Sequence, residues 1–164
     1  MTVEQKNEAT LVSKEAFHAI GLKWEGTFAE AGAGSIKAVH QEFQERLKEI
    51  PHVIHPETML GLSYHAVSGS EGFTHYAVVE VEKVEVVPPG MESVSVPTLT
   101  YAACEHHTHQ SIDQSYNNIY RWIKEQGYKD YAPSNLTHFE KYPMSQDPYT
   151  ENPEFVIMIP VENK

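Results

Sequence analysis

The sequence predicts an α+β fold: a tandem duplication of a βαββ unit with pseudo-two-fold symmetry, whose antiparallel sheets carry helices packed on one face. Two amphipathic segments with apolar residues at i, i+3, i+4 and i+7 supply the helices. Six β-rich segments around them complete the order strand, helix, strand, strand, given twice. The third observation is internal similarity. Shifting the chain on itself by 76 residues lays Ile36 on Ile112, His40 on Tyr116, Phe43 on Ile119 and Leu47 on Ile123, so the helices superpose face on face. Two copies are too few for a stable solenoid, and a period of this length reads as an internal duplication.

The first half opens with a strand over 17–24. Its helix, over 35–50, buries Ile36, Val39, His40, Phe43, Leu47 and Ile50, with Gly34 and Ser35 placed to cap it and Pro51 to end it. Strands over 59–67 and 73–84 follow, joined by the turn cluster 68–72. Pro88 to Gly90 mark the joint between halves of about 10–87 and 91–162 in a single domain, 1–164. The second half has a strand over 94–106 and a helix over 111–126 that buries Ile112, Tyr116, Ile119 and Ile123. Ser111 and Gln114 are spaced as a capping box, and Gly127 is placed to stop the helix. Strands over 135–142 and 154–161 complete it. The shift of 76 pairs Leu60 with Leu136, Tyr64 with Glu140, Val79 with Phe155 and Val81 with Ile157. Ahead of the helices it becomes 81, pairing Ile20 with Tyr101 and Leu22 with Ala103, because the loop 27–34 is five residues longer than 108–110.

Strand alternation assigns faces. Val79, Val81, Phe155, Ile157 and Ile159 are apolar on one side and should meet the helices. Leu136, His138, Glu140 and Tyr142 share a face, with Thr137, Phe139 and Lys141 opposite, so two ring-bearing residues flank Glu140. Pro143, Pro148 and Pro153 interrupt any ladder between the last two strands, which predicts an extended loop there, placed to act as a flap.

Composition narrows the function. With 164 residues, 40% of them apolar and 17 aromatic, the chain buries one real core. Twelve Lys and Arg against 23 Asp and Glu give a net charge of -11, which repels phosphate backbones and argues against direct nucleic-acid binding. The longest apolar run, 155–159, is too short for a bilayer, so no membrane association is expected. Cys104 is the single cysteine, so an internal disulfide and a thiolate metal site are excluded and a reducing cytoplasm is the expected location.

Residues 135–143 read NLTHFEKYP, and the second helix reads YNNIYRWIKEQGY. In this order and spacing they resemble the GyrI-like effector-binding family, also found as the ligand domain of AraC-type and MerR-type regulators. The resemblance runs from Leu11 to Val161. It implies an aromatic pocket on the pseudo-two-fold axis between the halves, with the strand glutamate, here Glu140, as counter-charge for lipophilic cations. The residues agree in kind. A carboxylate among poorly solvated rings attracts an organic cation, and each ring face adds about 0.5–2 kcal/mol of cation–π attraction. Tyr142 and His138 flank Glu140 on its strand. Tyr64, its repeat mate, and Trp24 and Tyr101, on the lead strands, are the further lining candidates. Tyr116, Tyr120 and Trp122 fall at helical spacing and read as core.

Nothing calls for a metal, a cofactor or a catalytic group. Three histidines fall within 106–109, but neighbours on a strand point to opposite faces and no HExxH or cysteine partner accompanies them. The reading is therefore a stand-alone binding protein for a lipophilic, cationic small molecule, acting as sensor, sequestering module or regulator. No stretch is left for a helix-turn-helix, so regulation would run through a protein partner such as another regulator. Two alternatives stand beside it: a hydrolase of strained electrophilic natural products, an activity the resemblance implies, with Glu140 as base, and an inhibitor of DNA gyrase.

Overall fold

The computed structural model describes residues 5, 7–66, 71–132 and 135–163. The strands are β1 (Thr10–Lys14), β2 (Phe17–Gly26), β3 (Thr58–Tyr64), β4 (Phe73–Val81), β5 (Glu92–Val96), β6 (Leu99–His106), β7 (Tyr128–Asp130), β8 (Leu136–Pro143) and β9 (Phe155–Asn163). The helices are α1 (Phe28–Gly32), α2 (Ser35–Arg46) and α3 (Ile112–Glu125), and a 3-10 turn, Leu47–Glu49, extends α2 to the length expected of the first helix. The strands form one antiparallel sheet rather than separate ones, in the order β1-β6-β9-β8-β3-β4-β2-β5, with β7 on β9.

The helices start and stop for local reasons. Gly34 enters α2 at φ +106°, a left-handed backbone that glycine adopts without strain, and no side chain caps the helix. At α3, the Ser111 hydroxyl accepts from Gln114 N at 3.2 Å, but the Gln114 side chain donates to Asn118 Oδ1 at 2.8 Å, so only half of the expected capping box forms. Gly127, at φ +83°, ends the turn.

Some elements escape the sequence pattern. The segment expected as one strand over 94–106 is two, because Pro97 offers no N–H and the chain turns there, with Thr98 Oγ1 accepting from Ala16 N at 2.9 Å. Strand β1 lies at a sheet edge with mostly exposed side chains, so no buried alternation marks it. Helix α1 has five residues and rests on a reciprocal cap between Thr27 and Glu30. Residues 67–70, the end of the expected strand 59–67 and most of the turn cluster 68–72, lie outside the described residues.

The helices cover one face of the sheet. Phe43 of α2 packs with Ile20, Met59, Val79 and Val81, and Ile119 and Ile123 of α3 pack with Ala102, Phe155, Ile157 and Ile159. The other face buries Leu62, Val78, Tyr101 and Phe139 without a helix. It does so by curling. Phe17 of β2 meets Phe139 of β8 across the two strands that lie between them in the sheet order, with ring centroids 6.1 Å apart.

A bulge sets which residues of β8 face the helices. Ser63 pairs with His138, but Tyr64 pairs with Leu136, leaving Thr137 as an extra residue. Its hydroxyl donates to Ser63 O at 2.8 Å and holds the bulge. Leu136 therefore joins Phe139 in the curled core. This corrects the expectation that Leu136 shares a face with His138, Glu140 and Tyr142, since simple alternation fails across an inserted residue.

Phe43 and Ile119 are fully buried, one under each helix. Phe43→Ala and Ile119→Ala should each lower the unfolding free energy by about 2–5 kcal/mol in urea titrations. Ile112→Ala, at a position 42% exposed, should change it by no more than about 0.5 kcal/mol.

Candidate functional site

Between α2 and α3, above the helix-bearing face of the sheet, lies a cavity of about 800 Å³. Its walls include His40 from α2, Tyr116 from α3 and the β8 side chains His138, Glu140 and Tyr142. Glu140 is the chemical centre. Tyr116 Oη donates to its Oε2 and Tyr142 Oη to its Oε1, so both carboxylate oxygens accept from phenols. Burial pushes both phenols well above their ordinary value, and the neighbouring Glu140 charge and the hydrogen bonds add to the shift. The tyrosines thus stay protonated and serve as neutral donors. Burial likewise lowers His138, against the opposing pull of Glu140, and keeps its imidazole uncharged at neutral pH.

Rings close around the carboxylate. Tyr116 meets His138 edge-on with centroids 5.1 Å apart, and Tyr142 lies 5.0 Å from Phe155 and 5.2 Å from His40. At the mouth, Phe28 of α1 stacks on Phe73 at 4.9 Å. The loop 144–154 crosses one side, its Gln146 O accepting from Gln44 Nε2 at 2.9 Å and its Asn152 O from Thr108 Oγ1 at 3.0 Å.

A second polar group lines the same cavity. Ser63 Oγ lies 3.0 Å from His75 Nδ1, and His75 Nε2 lies 3.0 Å from His40 Nε2. All three are buried. Desolvation lowers His40 to about 4 and, with His40 and His138 nearby, puts His75 well below the ordinary histidine value. Gly61 makes room for this group, because a Cβ there would lie 2.9 Å from His75 Cε1.

Three of the residues singled out from sequence, Glu140, His138 and Tyr142, come together in this cavity. Tyr64 and Tyr101 do not, since they belong to the curled core on the opposite face. The bulge at Thr137 explains Tyr64: Leu60 and Leu136 do match in face, but the inserted residue carries Glu140 to the other side while Tyr64 stays. Tyr101 alternates with Ala102, the residue that meets α3, so the pairing of Ile20 with Tyr101 is one residue out of step. Burial raises the Tyr64 phenol to about 12, and the Tyr101 hydroxyl is buried with no hydrogen-bond partner among the described residues. Trp24 packs 5.1 Å from Phe73 and backs the rim rather than forming the wall. Tyr116, read as core, is instead a direct partner of Glu140. Its signal was present, since the shift of 76 lays it on His40, another wall residue. Ser63 and His75 carry no sequence signal beyond residue type. Of the histidine run, His106 turns inward to Ser115 Oγ at 2.7 Å, while His107 is exposed beside Glu105.

The GyrI-like small molecule binding domain model matches residues 8–162. The chain belongs to this family. Among solved structures it is similar to SAV2435 bound to tetraphenylphosphonium, with a TM-score of 0.67 and 15% identity over 94% of this chain and 94% of that one. It is also similar to EcmrR in a DNA complex, with a TM-score of 0.69 and 16% identity over 96% of this chain, but it spans only 58% of the EcmrR chain. A hydrolase from Listeria innocua aligns with a TM-score of 0.57 and 8% identity over 97% of this chain and 94% of that one. No curated protein sequence matches the chain. Among the described residues, no helix is long and apolar enough to cross a membrane.

The buried histidines link stability to pH. His40 sits near 4 in the fold against 6.5 ordinarily, so below pH 6.5 the unfolded chain takes up a proton that the fold refuses. Stability should fall as the pH drops from 6.5 towards 4, with this group contributing about 2 kcal/mol of loss by pH 5. Urea unfolding at pH 7.5 and pH 5 checks this, and His40→Gln should shrink the difference between the two.

Proposed function

We propose that the chain binds a lipophilic monocation in the cavity beside Glu140 and thereby senses or sequesters it. The observation that carries this reading is the pairing of both Glu140 oxygens with tyrosine hydroxyls in a ring-lined cavity. Neutral donors satisfy the oxygens without cancelling the charge. A cation whose charge is spread and which donates no hydrogen bonds, such as a phosphonium or quaternary ammonium, then gains the field and the ring faces without displacing either phenol. A primary ammonium would have to compete with them. The tetraphenylphosphonium in SAV2435, a chain of the same fold, supports this choice.

We further infer that the chain is a tandem duplication, with halves of about 10–87 and 91–162 and the cavity on their pseudo-two-fold axis. The sheet order supports it: β6-β9-β8 lies beside β3-β4-β2, and the edge strands exchange, β1 pairing with β6 and β5 with β2. The hydrolase reading ranks second. It is favoured by the similarity to the Listeria innocua hydrolase, but both Glu140 oxygens already accept from phenols, so a water to be activated would have to compete with them for the carboxylate.

The test compares two probes of one shape and opposite charge, tetraphenylphosphonium and tetraphenylborate, by isothermal titration calorimetry. The phosphonium should bind and the borate should not, and Glu140→Gln should weaken the phosphonium about tenfold or more. Equal binding of both ions, or an unchanged affinity in the variant, would remove Glu140 from the role of counter-charge. The loop 144–154, which contributes Gln146 and Pro148 to the cavity wall, should act as a flap. Amide exchange across 146–152 should slow when tetraphenylphosphonium binds, and equal rates with and without it would make the loop a plain connection.

A further inference from the structure

Resting on the cation reading above, we propose that Ser63, His75 and His40 form a second subsite, which takes a neutral hydrogen-bonding group, a hydroxyl above all, carried one aromatic ring away from the ligand's positive charge. The three side chains form an unbroken chain of contacts, Ser63 Oγ to His75 Nδ1 and His75 Nε2 to His40 Nε2, each 3.0 Å. All three line the same cavity as Glu140. The chain ends at His40 Nδ1, which makes no hydrogen bond among the described residues.

A neutral imidazole carries one N–H and one bare nitrogen, so the order of donors along the chain is set from either end. If His40 donates from Nε2 to His75, then His75 donates from Nδ1 to Ser63 Oγ, and His40 Nδ1 is left as an acceptor. If Ser63 donates to His75 Nδ1, then His75 donates to His40 Nε2, and His40 Nδ1 becomes a donor. In both orders every internal contact is satisfied and His40 Nδ1 remains for a ligand. A ligand hydroxyl suits either order, since it both donates and accepts. Burial keeps the pair uncharged at neutral pH, so the subsite adds polarity without repelling the cation at Glu140.

Tyr142 sets the spacing. Its hydroxyl donates to Glu140 and its ring lies 5.2 Å from the His40 ring, edge-on, so one aromatic ring separates the carboxylate from the histidine. A packing role alone does not account for this arrangement. Two buried imidazoles, a buried serine and a glycine that yields space to His75 stand where apolar side chains would fill the volume with no polar group to desolvate.

The experiment measures, by calorimetry, the affinities of benzyltriphenylphosphonium and its 4-hydroxybenzyl counterpart, which differ by one hydroxyl. The hydroxylated cation should bind wild-type protein about fivefold more tightly. In His40→Phe, which keeps a ring beside Tyr142 and removes both nitrogens, the ratio of the two affinities should fall to about one, whatever the change does to the affinity of either cation alone. In Ser63→Ala the advantage should shrink, and this small change decides the matter if His40→Phe fails to fold. Glu140→Gln should weaken both cations together and leave their ratio intact, which separates the two halves of the account. Equal binding of the two cations to wild type, or an advantage that survives both relay variants, overturns the subsite alone. If neither cation binds wild type, the cation reading and the subsite fall together.

Discussion

One inserted residue decides which face of the sheet carries the chemistry. Thr137 stands unpaired between His138 and Leu136, and its hydroxyl holds it there through Ser63 O. Without the bulge, Leu136 and Glu140 would share a face, and either the curled core would lose Leu136 or a carboxylate would enter it. With the bulge, Leu136 and Phe139 fill that core while His138, Glu140 and Tyr142 meet the helices. Such an insertion changes the direction of every side chain beyond it, which is why bulges recur beside functional sites. The rest of the cavity is arranged around the direction it gives Glu140.

Keeping a carboxylate among rings requires partners that do not neutralise it. The nearest basic side chain on its own strand is Lys141, which alternates to the other face and is exposed. Phenols take its place, one from α3 and one from β8, and their burial keeps them protonated. The buried histidines of the cavity are held uncharged by the same desolvation. Around Glu140 the site therefore combines a carboxylate with neutral hydrogen-bonding groups and aromatic surface, while the charged Lys37, Asp113 and Glu151 of the lining are exposed, and the proposed preference for a single delocalised cation rests on that combination.

The sequence carried the large features because they depend on periodicity. The helix over 111–126 and the faces of Val79, Phe155 and Ile157 follow from apolar spacing alone, and Phe43 and Ile119 sit buried as their matching positions imply. The shared face of His138, Glu140 and Tyr142 followed from local alternation within one strand, and the family resemblance singled out Glu140 among them. What failed depended on register between strands. Tyr64 and Tyr101 were assigned by sliding one half along the other, and a slip of one residue, from a bulge or a loop, reverses the face. Tyr116 was ambiguous because a tyrosine on an amphipathic helix buries its ring in either role, and only the position of its hydroxyl against Glu140 distinguishes them. Ser63 and His75 lie 12 residues apart on paired strands, a contact that no linear pattern announces.

The most direct test of the central claim is the position of the ligand. A crystal structure of the protein with tetraphenylphosphonium, phased to locate the phosphorus, should place that atom in the cavity between α2 and α3, facing the Glu140 carboxylate, with Tyr116 and Tyr142 still bonded to its oxygens. Phosphorus density on the opposite face, beside Tyr64 and Tyr101, or at the protein surface with the cavity unchanged, would contradict the account.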